Sequence, residues 1–346
     1  MTLNFRIEYI SGDEYKMGVV ELARDLIKIP SPSGEEKKVG LFLVERLKKN
    51  FVVKIQPVGD RFNIFAIKGK PNVILTTHLD TVPKQIRMNE DKNYIYGRGS
   101  CDAKGILACM VCACEEASQK GLNNFGMIFD VSEETDFAGI LKAENEINPK
   151  FTIVGEPTDF KIVFGQKGLV QLKIKCNGKS AHGSTPEKGI SAIDKLVEIL
   201  GNIKQIDLPS ADKLGKTTFN IGKISGGSAP NVVSDYAEAT LEIRTTKPNE
   251  EILQLIKEIV PDDCLEIICS YEPVLNETTD FIKWFEFEKI SVSYFTEMYF
   301  WAKKGKTIVF GPGKYEFAHT DEERIRKADL VKGKEIYLKM IEEWSK

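Results

Sequence analysis

Histidine is scarce in this sequence, with three residues among 346, and the chain also lacks a long hydrophobic run and an excess of one charge. Lys and Arg total 48 and Asp and Glu total 51, so the formal net charge of −3 excludes the strongly basic surface typical of nucleic-acid-binding proteins. No stretch reaches the roughly 18 apolar residues that a membrane span requires, and residues 1–20 lack the basic start and apolar run of a signal peptide. We therefore expect a cytoplasmic protein that binds neither nucleic acid nor a membrane.

Cysteine is infrequent as well, and its seven residues are an odd number, which argues against a disulfide framework. Cys109, Cys112 and Cys114 are close enough in sequence to suggest a metal or cluster site. The run 103–117 around them is rich in Ala, Ile, Leu, Met and Val, however, and predicts a buried helix in which cysteine packs as a small hydrophobic residue. Cys101 immediately precedes an acidic residue of interest, Asp102, and a thiol-sensitive site is an open alternative there.

The length of the chain favours two domains. Up to residue 166, apolar periodicity and turn signals predict helices at 17–30, 36–49, 103–119 and 137–146, with strands at 51–57, 62–67, 72–77, 125–131 and 151–154. Strands that alternate with helices indicate an α/β layer with a mostly parallel sheet.

A different pattern begins after Gly165. Strands are predicted at 169–176, 217–224, 232–245 and 265–271, with helices at 189–203 and 249–259. This β-α-β-β-α-β order is that of the ferredoxin-like unit. From about residue 278 the sequence returns to helix, a strand at 307–310 and a final helix at 328–345. We predict a discontinuous first domain, residues 1–166 and 276–346, interrupted by an inserted α+β domain, residues 167–275.

The segment NVILTTHLDTVP leads from a predicted buried strand directly into His78, and Asp80 lies two positions later. Because side chains of extended chain alternate with period two, His78 and Asp80 can share one side. Asp80 can then accept the N–H of the ring nitrogen that a metal-bound His78 leaves free, which fixes the tautomer. The alternative is a surface histidine in a loop.

The segment YGRGSCDAKG places Asp102 in a loop that enters a helix, again after strand-like sequence. Gly97 and Gly99 resemble part of a dinucleotide-binding loop, but the third glycine of that pattern is absent and the preceding strand is poor. We favour instead a carboxylate at Asp102 that bridges two metal ions.

The apolar strand MIFDVS ends in Glu133 and Glu134, adjacent carboxylates that would repel each other at a buried strand end. A nearby cation would remove that conflict. Two acids also allow one to bind metal while the other takes a proton from metal-activated water and returns it to a leaving amine. An exposed pair of glutamates on a solvated loop is the alternative.

Two more polar residues follow apolar strands: Glu156 in TIVGEPTD and His319 in FGPGKYEFAHTDE. Strand ends collect at one edge of an open α/β sheet, where ligands bind. Two divalent cations would balance the charges of Asp102, Glu134, Glu156 and one hydroxide, with neutral His78 and His319 completing the set.

This set of motifs resembles the M20 family of metal-dependent amidohydrolases and peptidases along nearly the whole chain. The resemblance implies that two zinc or cobalt ions are bound, that Glu133 is the general base and that Asp80 supports His78. Its implied ligands are His78, Asp102, Glu134, Glu156 and His319. Two positions depart from the family pattern: Ser132 replaces an acid that often precedes the glutamate pair, and Phe295-Thr296-Glu297 stands for a GTSD-like segment.

The same resemblance identifies the inserted domain as a lid that forms a homodimer. His182, in SAHGSTP, would stabilise the oxyanion, commonly from the neighbouring subunit. Asn231 and Arg244 match substrate-binding positions, where Arg244 would hold an α-carboxylate through a bidentate contact. For Arg244 the alternative is a surface ion pair.

Three functions remain open from the sequence. The first is removal of an N-acyl group from a small amino-acid substrate, similar to acetylornithine or acetyl-lysine deacetylases and succinyl-diaminopimelate desuccinylases. GEPTD followed by GQKG, and the compact lid, favour this hypothesis. The second is hydrolysis of dipeptides or C-terminal residues, as in peptidase relatives. The third is a catalytically silent binding protein with the same fold.

Overall fold

The computed structural model of the chain describes residues 18–276 and 286–346. Helices and strands alternate in its first part: α1 (Val19–Lys28), α2 (Lys37–Leu47), β1 (Val52–Val58), β2 (Arg61–Lys68), β3 (Val73–His78), β4 (Asn89–Glu90), β5 (Tyr94–Tyr96), α3 (Lys104–Gln119), β6 (Phe125–Asp130), α4 (Ala138–Ala143), β7 (Phe151–Val154) and β8 (Ile162–Gln166).

The remaining elements divide between the insertion and the return to the first domain. The insertion contains β9 (Leu169–Asn177), α5 (Ala192–Ile203), β10 (Ser210–Ala211), β11 (Gly215–Lys216), β12 (Thr218–Gly226), β13 (Tyr236–Arg244), α6 (Asn249–Lys257) and β14 (Leu265–Tyr271). The chain then forms β15 (Val274–Leu275), β16 (Lys289–Val292), α7 (Met298–Ala302), β17 (Lys306–Val309), β18 (Arg324–Arg326) and α8 (Lys327–Trp344).

A large mixed sheet forms the first domain, with strand order β1-β2-β6-β3-β7-β17-β8-β15 and β16 paired to β8. Strands β6, β3, β7 and β17 are parallel, and antiparallel pairs flank them on both sides. Helices α1, α3 and α8 pack together as one layer of its core. Strand β3 is buried along its full length, as expected of an apolar strand at the centre of a parallel sheet. The prediction of a mostly parallel α/β sheet is confirmed for this centre.

The insertion has the ferredoxin-like architecture that its element order predicts. Its antiparallel sheet has the order β12-β13-β9-β14, and α5 and α6 share one core with it. Strand β9 alternates buried and half-buried residues because one face meets the helices and the other does not. The limits of 167 and 275 for the insertion remain predictions.

The region after residue 275 differs from the prediction. A helix was expected from about residue 278; residues 277–285 lie outside the described part, but residues 289–292 form strand β16, which pairs in parallel with β8. Between residues 286 and 306 the described chain has one α-helix, the five residues of α7. Strand β8 had no prediction at all, because its short apolar run gains its strand conformation from pairing with β16 and β17. Within the described residues, no helix combines the length and apolar character needed to cross a membrane.

Candidate metal centre

The predicted metal ligands converge at the carboxyl ends of the parallel strands. His78 is the last residue of β3, Glu134 follows β6 by four positions, and Glu156 follows β7 by two. Asp102 lies just before α3, and His319 lies in the loop after β17. Gly155 allows this convergence, since a Cβ there would lie 2.5 Å from Met110 Cε and 2.7 Å from Ile106 Cγ2 of helix α3.

Asp102 stands at the middle of the cluster. Its Oδ1 lies 3.1 Å from His78 Nε2, and its Oδ2 lies 3.3 Å from His319 Nε2. His319 Nε2 is also 3.0 Å from Glu134 Oε1. Two groups of three residues share this carboxylate, and within each group the ligand atoms lie within 4.8 Å of one another. One group is His78, Asp102 and Glu156, and the other is Asp102, Glu134 and His319. The arrangement matches the predicted bridging position of Asp102.

Glu133 joins the same cluster in a third triplet, with His78 and Glu134. It is part-exposed, whereas Glu156 and His78 are buried. The paired glutamates therefore lie beside the other predicted ligands and not on a separate loop; their roles at a metal site remain predictions.

Asp80 has a different set of contacts from the one predicted. His78 Nδ1 is nearest to the main-chain oxygen of Asp80, at 3.0 Å, and lies 3.5 Å from its carboxylate. The carboxylate instead accepts hydrogen bonds from the hydroxyl of Ser33 (2.7 Å) and from the main-chain N–H groups of Glu133 and Glu134 (3.1 Å each). The carbonyl thus supports the histidine, and the carboxylate holds the turn that carries the two acids.

Glu36 and Arg61 contact the Ser132 turn in a way that the sequence did not reveal. Ser132 has a positive φ of 67°, and its N–H donates to Glu36 Oε1 at 3.2 Å. Arg61 donates to the same Glu36 oxygen (2.9 Å) and to the Ser132 hydroxyl (2.6 Å). A glutamate from the turn before α2 therefore supplies a buried acid beside Ser132, where the family often has one in the chain itself.

The pKa directions in the cluster reflect crowding of buried acids. Burial, followed by the charge of a neighbouring acid, raises the pKa of Glu133, Glu134 and Glu156 above the ordinary value. Burial also opposes ionisation of Asp102, but hydrogen bonds from His319 and His78 outweigh it and lower its pKa. Hydrogen bonds to Asp102 and Glu134 raise the pKa of His319 to about 10.

A second pair of acids lies deeper, next to the end of β6. Asp130 and Glu297 are buried, and in the described part of the chain their carboxyl oxygens have no hydrogen-bond donor. Burial raises the pKa of Asp130 to about 7, and burial together with the charge of Asp130 raises that of Glu297. The pair is consistent with one shared proton. Glu297 belongs to the segment that departs from the GTSD-like pattern.

The predicted lid residues are not part of this cluster. His182 is exposed, and its Nδ1 accepts the N–H of Ser184 at 3.1 Å. The main-chain oxygen of Asn231 accepts the N–H of Gly183 at 2.7 Å, so Asn231 lies beside the His182 turn. No hydrogen bond or ion pair links His182 or Asn231 to the five predicted ligands within residues 18–276 and 286–346.

Arg244 forms an ion pair with Glu242 at 2.7 Å, as the surface-pair alternative expects. Burial and the charge of Asp102 raise the pKa of Tyr315, and the charge of Arg244 opposes that shift.

The cysteines are not metal ligands in the described structure. Cys109, Cys112 and Cys114 lie buried in α3 and belong to no metal-ligand group found among the described residues, which confirms the helix-packing interpretation. The thiol of Cys101 donates to the main-chain oxygen of Lys314 at 3.3 Å. Burial, then the charges of Asp102 and Glu323, raise its pKa, so Cys101 is a weak nucleophile.

Comparison with known proteins identifies the family. Residues 164–263 match the model of the peptidase dimerisation domain of M20 proteins. A peptidase M20 domain-containing protein of Schizosaccharomyces pombe is 31% identical over 93% of this chain and 84% of its own length. The chain belongs to the M20 peptidase family. A probable carboxypeptidase of Aspergillus terreus is 33% identical over 92% of this chain and 84% of its own length.

Solved M20 structures share the fold at low sequence identity. A tripeptidase from Staphylococcus aureus is 22% identical, with a TM-score of 0.78 over 94% of this chain and 97% of its own. A dinuclear metal binding peptidase of the M20 family from Bacillus subtilis is 15% identical, with a TM-score of 0.69 over 94% of this chain and 98% of its own. The resemblance found in the sequence and the predicted fold class are thereby confirmed.

Proposed function

We propose that this M20 chain is a two-metal peptidase that hydrolyses short peptides, with release of a C-terminal residue as the favoured reaction. The observation that carries the proposal is the position of Asp102, with one oxygen toward each histidine. The relatives' names, carboxypeptidase and tripeptidase, support a peptide substrate better than the N-acyl amino acid that the sequence favoured. Removal of an N-acyl group is therefore kept as the second hypothesis, which the substrate comparison below also tests.

The donor set fits a pair of divalent cations. Burial raises the pKa of Glu134 and Glu156 and opposes ionisation of Asp102, so positive charge nearby would stabilise all three carboxylates. Two imidazoles complete a nitrogen and oxygen ligand set suited to zinc. We propose His78 and Glu156 on one side of Asp102, and Glu134 and His319 on the other. Zinc is the expected metal and cobalt the alternative. Such cations would supply Lewis acidity toward a carbonyl and activate water.

Glu133 is the proposed general base. It belongs to neither of the two triplets that share Asp102, so the two proposed cation positions do not require its carboxylate, which would then be available for proton transfer. Burial and the charges of Glu156 and Glu134 raise its pKa, which makes it a stronger base toward water. Glu133 would take the proton from water and deliver it to the departing amine nitrogen.

The lid would complete the site. We propose that His182 stabilises the oxyanion from a neighbouring subunit, since it has no contact with its own cluster among the described residues, and that the dimerisation domain forms the homodimer. Arg244 would leave its ion pair with Glu242 and bind the substrate α-carboxylate. Asn231, next to the His182 turn, would be a second substrate-binding residue. A cytoplasmic location is supported by seven free cysteines.

The test compares substrates and one variant. The purified protein, reconstituted with Zn²⁺ or Co²⁺, is assayed against dipeptides, tripeptides, N-acetylornithine, N-acetyl-lysine and N-succinyl-diaminopimelate. We expect the highest kcat/KM for a peptide; a clear preference for an acylated amino acid would restore the deacylase. Glu133→Gln should keep its metal but lose about 10²- to 10⁴-fold in kcat, the usual contribution of general base catalysis.

Two outcomes would contradict the proposal. Substantial turnover by Glu133→Gln would refute the assigned base. Fewer than one bound ion per chain by mass spectrometry would favour the catalytically silent binding protein instead.

A further inference from the structure

We propose that Glu323, neutralised by Arg98, is a positioning residue that fixes the Asp102 loop and thereby sets how tightly the metal centre binds its cations. The inference rests on the proposed metal centre. It assigns a role to two buried charged residues that lie outside the predicted ligand set.

Glu323 holds the Asp102 loop directly. Its side chain is buried, and its Oε1 accepts both the Cys101 N–H (3.0 Å) and the Asp102 N–H (3.1 Å). The main-chain oxygen of Glu323 also accepts the Gly97 N–H at 3.1 Å. One residue therefore contacts both ends of the loop 97–102, so the direction of the Asp102 side chain depends on it.

Arg98 compensates the negative charge of the buried Glu323 carboxylate. Its Nη1 donates to Glu323 Oε2 at 2.6 Å, and both side chains are almost fully buried. The same Nη1 donates to the main-chain oxygen of Thr320 at 3.3 Å, and Nε donates to that of Lys84 at 3.2 Å. An uncompensated buried charge is strongly unfavourable, so removal of either partner affects the other.

The network joins two proposed ligands. Thr320 follows His319 directly, and Arg98 lies in the loop that carries Asp102. Arg98 and Glu323 therefore tie the segment of one ligand to the segment of the other, while His319 and Asp102 themselves lie 3.3 Å apart. A change in this pair shifts two ligand positions together.

The alternative is that the pair only stabilises the fold, and the chain offers a matched control. Arg46 and Glu115 form a bidentate pair of 2.7 and 2.8 Å, also largely buried, between α2 and α3. Neither residue belongs to a metal-ligand group in the described chain. A purely structural role predicts the same behaviour for Glu323→Gln and Glu115→Gln.

The experiment measures metal binding by full-length protein stripped with a chelator. Glutamine has one carboxamide oxygen, which can accept either from the N–H groups of Cys101 and Asp102 or from Arg98. Glu323→Gln therefore weakens one of these two sets of hydrogen bonds. Titration with Co²⁺ should show about 10- to 100-fold weaker binding and a changed visible spectrum, whereas Glu115→Gln should bind as wild type. Melting temperatures and circular dichroism report the fold of each variant separately.

Arg98→Lys is the second variant. It keeps the positive charge but loses the planar guanidinium group with its several N–H donors. It should bind Co²⁺ less tightly than wild type and more tightly than Glu323→Gln. If Glu323→Gln folds and keeps the wild-type Co²⁺ affinity and spectrum, the inference is wrong although the metal centre stands. If Glu323→Gln does not fold, the same result for folded Arg98→Lys leads to the same conclusion. If wild type itself binds fewer than one Co²⁺ per chain, the proposed function fails as well.

Discussion

Asp80 offers the sharpest test of how the turn with the two acids is held. Its Oδ2 accepts the Ser33 hydroxyl and the Glu134 N–H, and its Oδ1 accepts the Glu133 N–H. In Asp80→Asn the amide oxygen can occupy only one of these positions. The two donors at the Oδ2 position favour the oxygen there, which turns the NH₂ group toward the Glu133 N–H. Glu133, the proposed general base, then loses this hydrogen bond while Glu134 keeps its own.

The expected loss follows from the hydrogen bond that is removed. A hydrogen bond to a buried charged acceptor contributes about 1.5–3 kcal/mol, and a donor placed against another donor adds to the cost. A total of about 2–3 kcal/mol at about 1.36 kcal/mol per tenfold predicts a fall in kcat/KM of about 30- to 150-fold. The main-chain oxygen that contacts His78 Nδ1 is unchanged, so metal content should stay near that of wild type.

Steady-state kinetics and metal analysis on the same preparations provide the assay. Ser33→Ala is the matched control, since it removes one donor to the same carboxylate and should cost less than about tenfold. If Asp80→Asn loses its metal but keeps wild-type turnover per bound ion, the residue acts through His78, as the sequence predicted, and the explanation given above fails.

Two further predictions concern the cations and the subunits. In chelator-treated protein near pH 7, His319 should be protonated, because hydrogen bonds to Asp102 and Glu134 raise its pKa to about 10. Hydrogen bonds to Asp102 and Asp80 also raise the pKa of His78, against the effect of its burial. Zinc binding should therefore release at least about one proton per chain, and affinity should rise with pH; calorimetry without any dependence on the buffer's ionisation enthalpy would contradict this. If His182 acts across a dimer, mixing His182→Ala with Glu133→Gln should regain up to about a quarter of wild-type activity, since half of randomly formed dimers contain one intact site. Activity that stays at the parents' level after subunit exchange would place His182 elsewhere.

Much of the fold was accessible from the sequence because hydrophobic periodicity reports burial. Strand β3 and helix α3 are buried at nearly all positions, and their continuous apolar runs were identified at close to the observed bounds. Strands β8 and β16 were missed because each is short and depends on its partner strand for its conformation.

The candidate site divides in the same way. The predicted ligands follow apolar strands, and the topology of a parallel sheet brings such positions to one edge. Glu36 and Glu323 had no comparable signal, because they accept main-chain N–H groups far away in sequence. Arg61 had none either, because its partners, Glu36 and the Ser132 hydroxyl, are also distant in the chain. Asp80 is a similar case: the period-two argument placed its side chain near His78, where the structure has it, but could not show that the carboxylate also accepts the N–H groups of residues 133 and 134.

One physical pattern links Asp80 with two residues that the sequence did not reveal. Two of the loops that carry predicted site acids are held by buried carboxylates that accept main-chain N–H groups: Asp80 for residues 133 and 134, Glu36 for residue 132, and Glu323 for residues 101 and 102. Charged acceptors make stronger hydrogen bonds than neutral ones, so the loops are fixed while their own carboxylates stay available to the cluster. Arg61 and Arg98 neutralise two of these supports, but the acids of the cluster have no arginine of their own among the described ion pairs. Those acids therefore need positive charge from another source, and a pair of divalent cations would supply it.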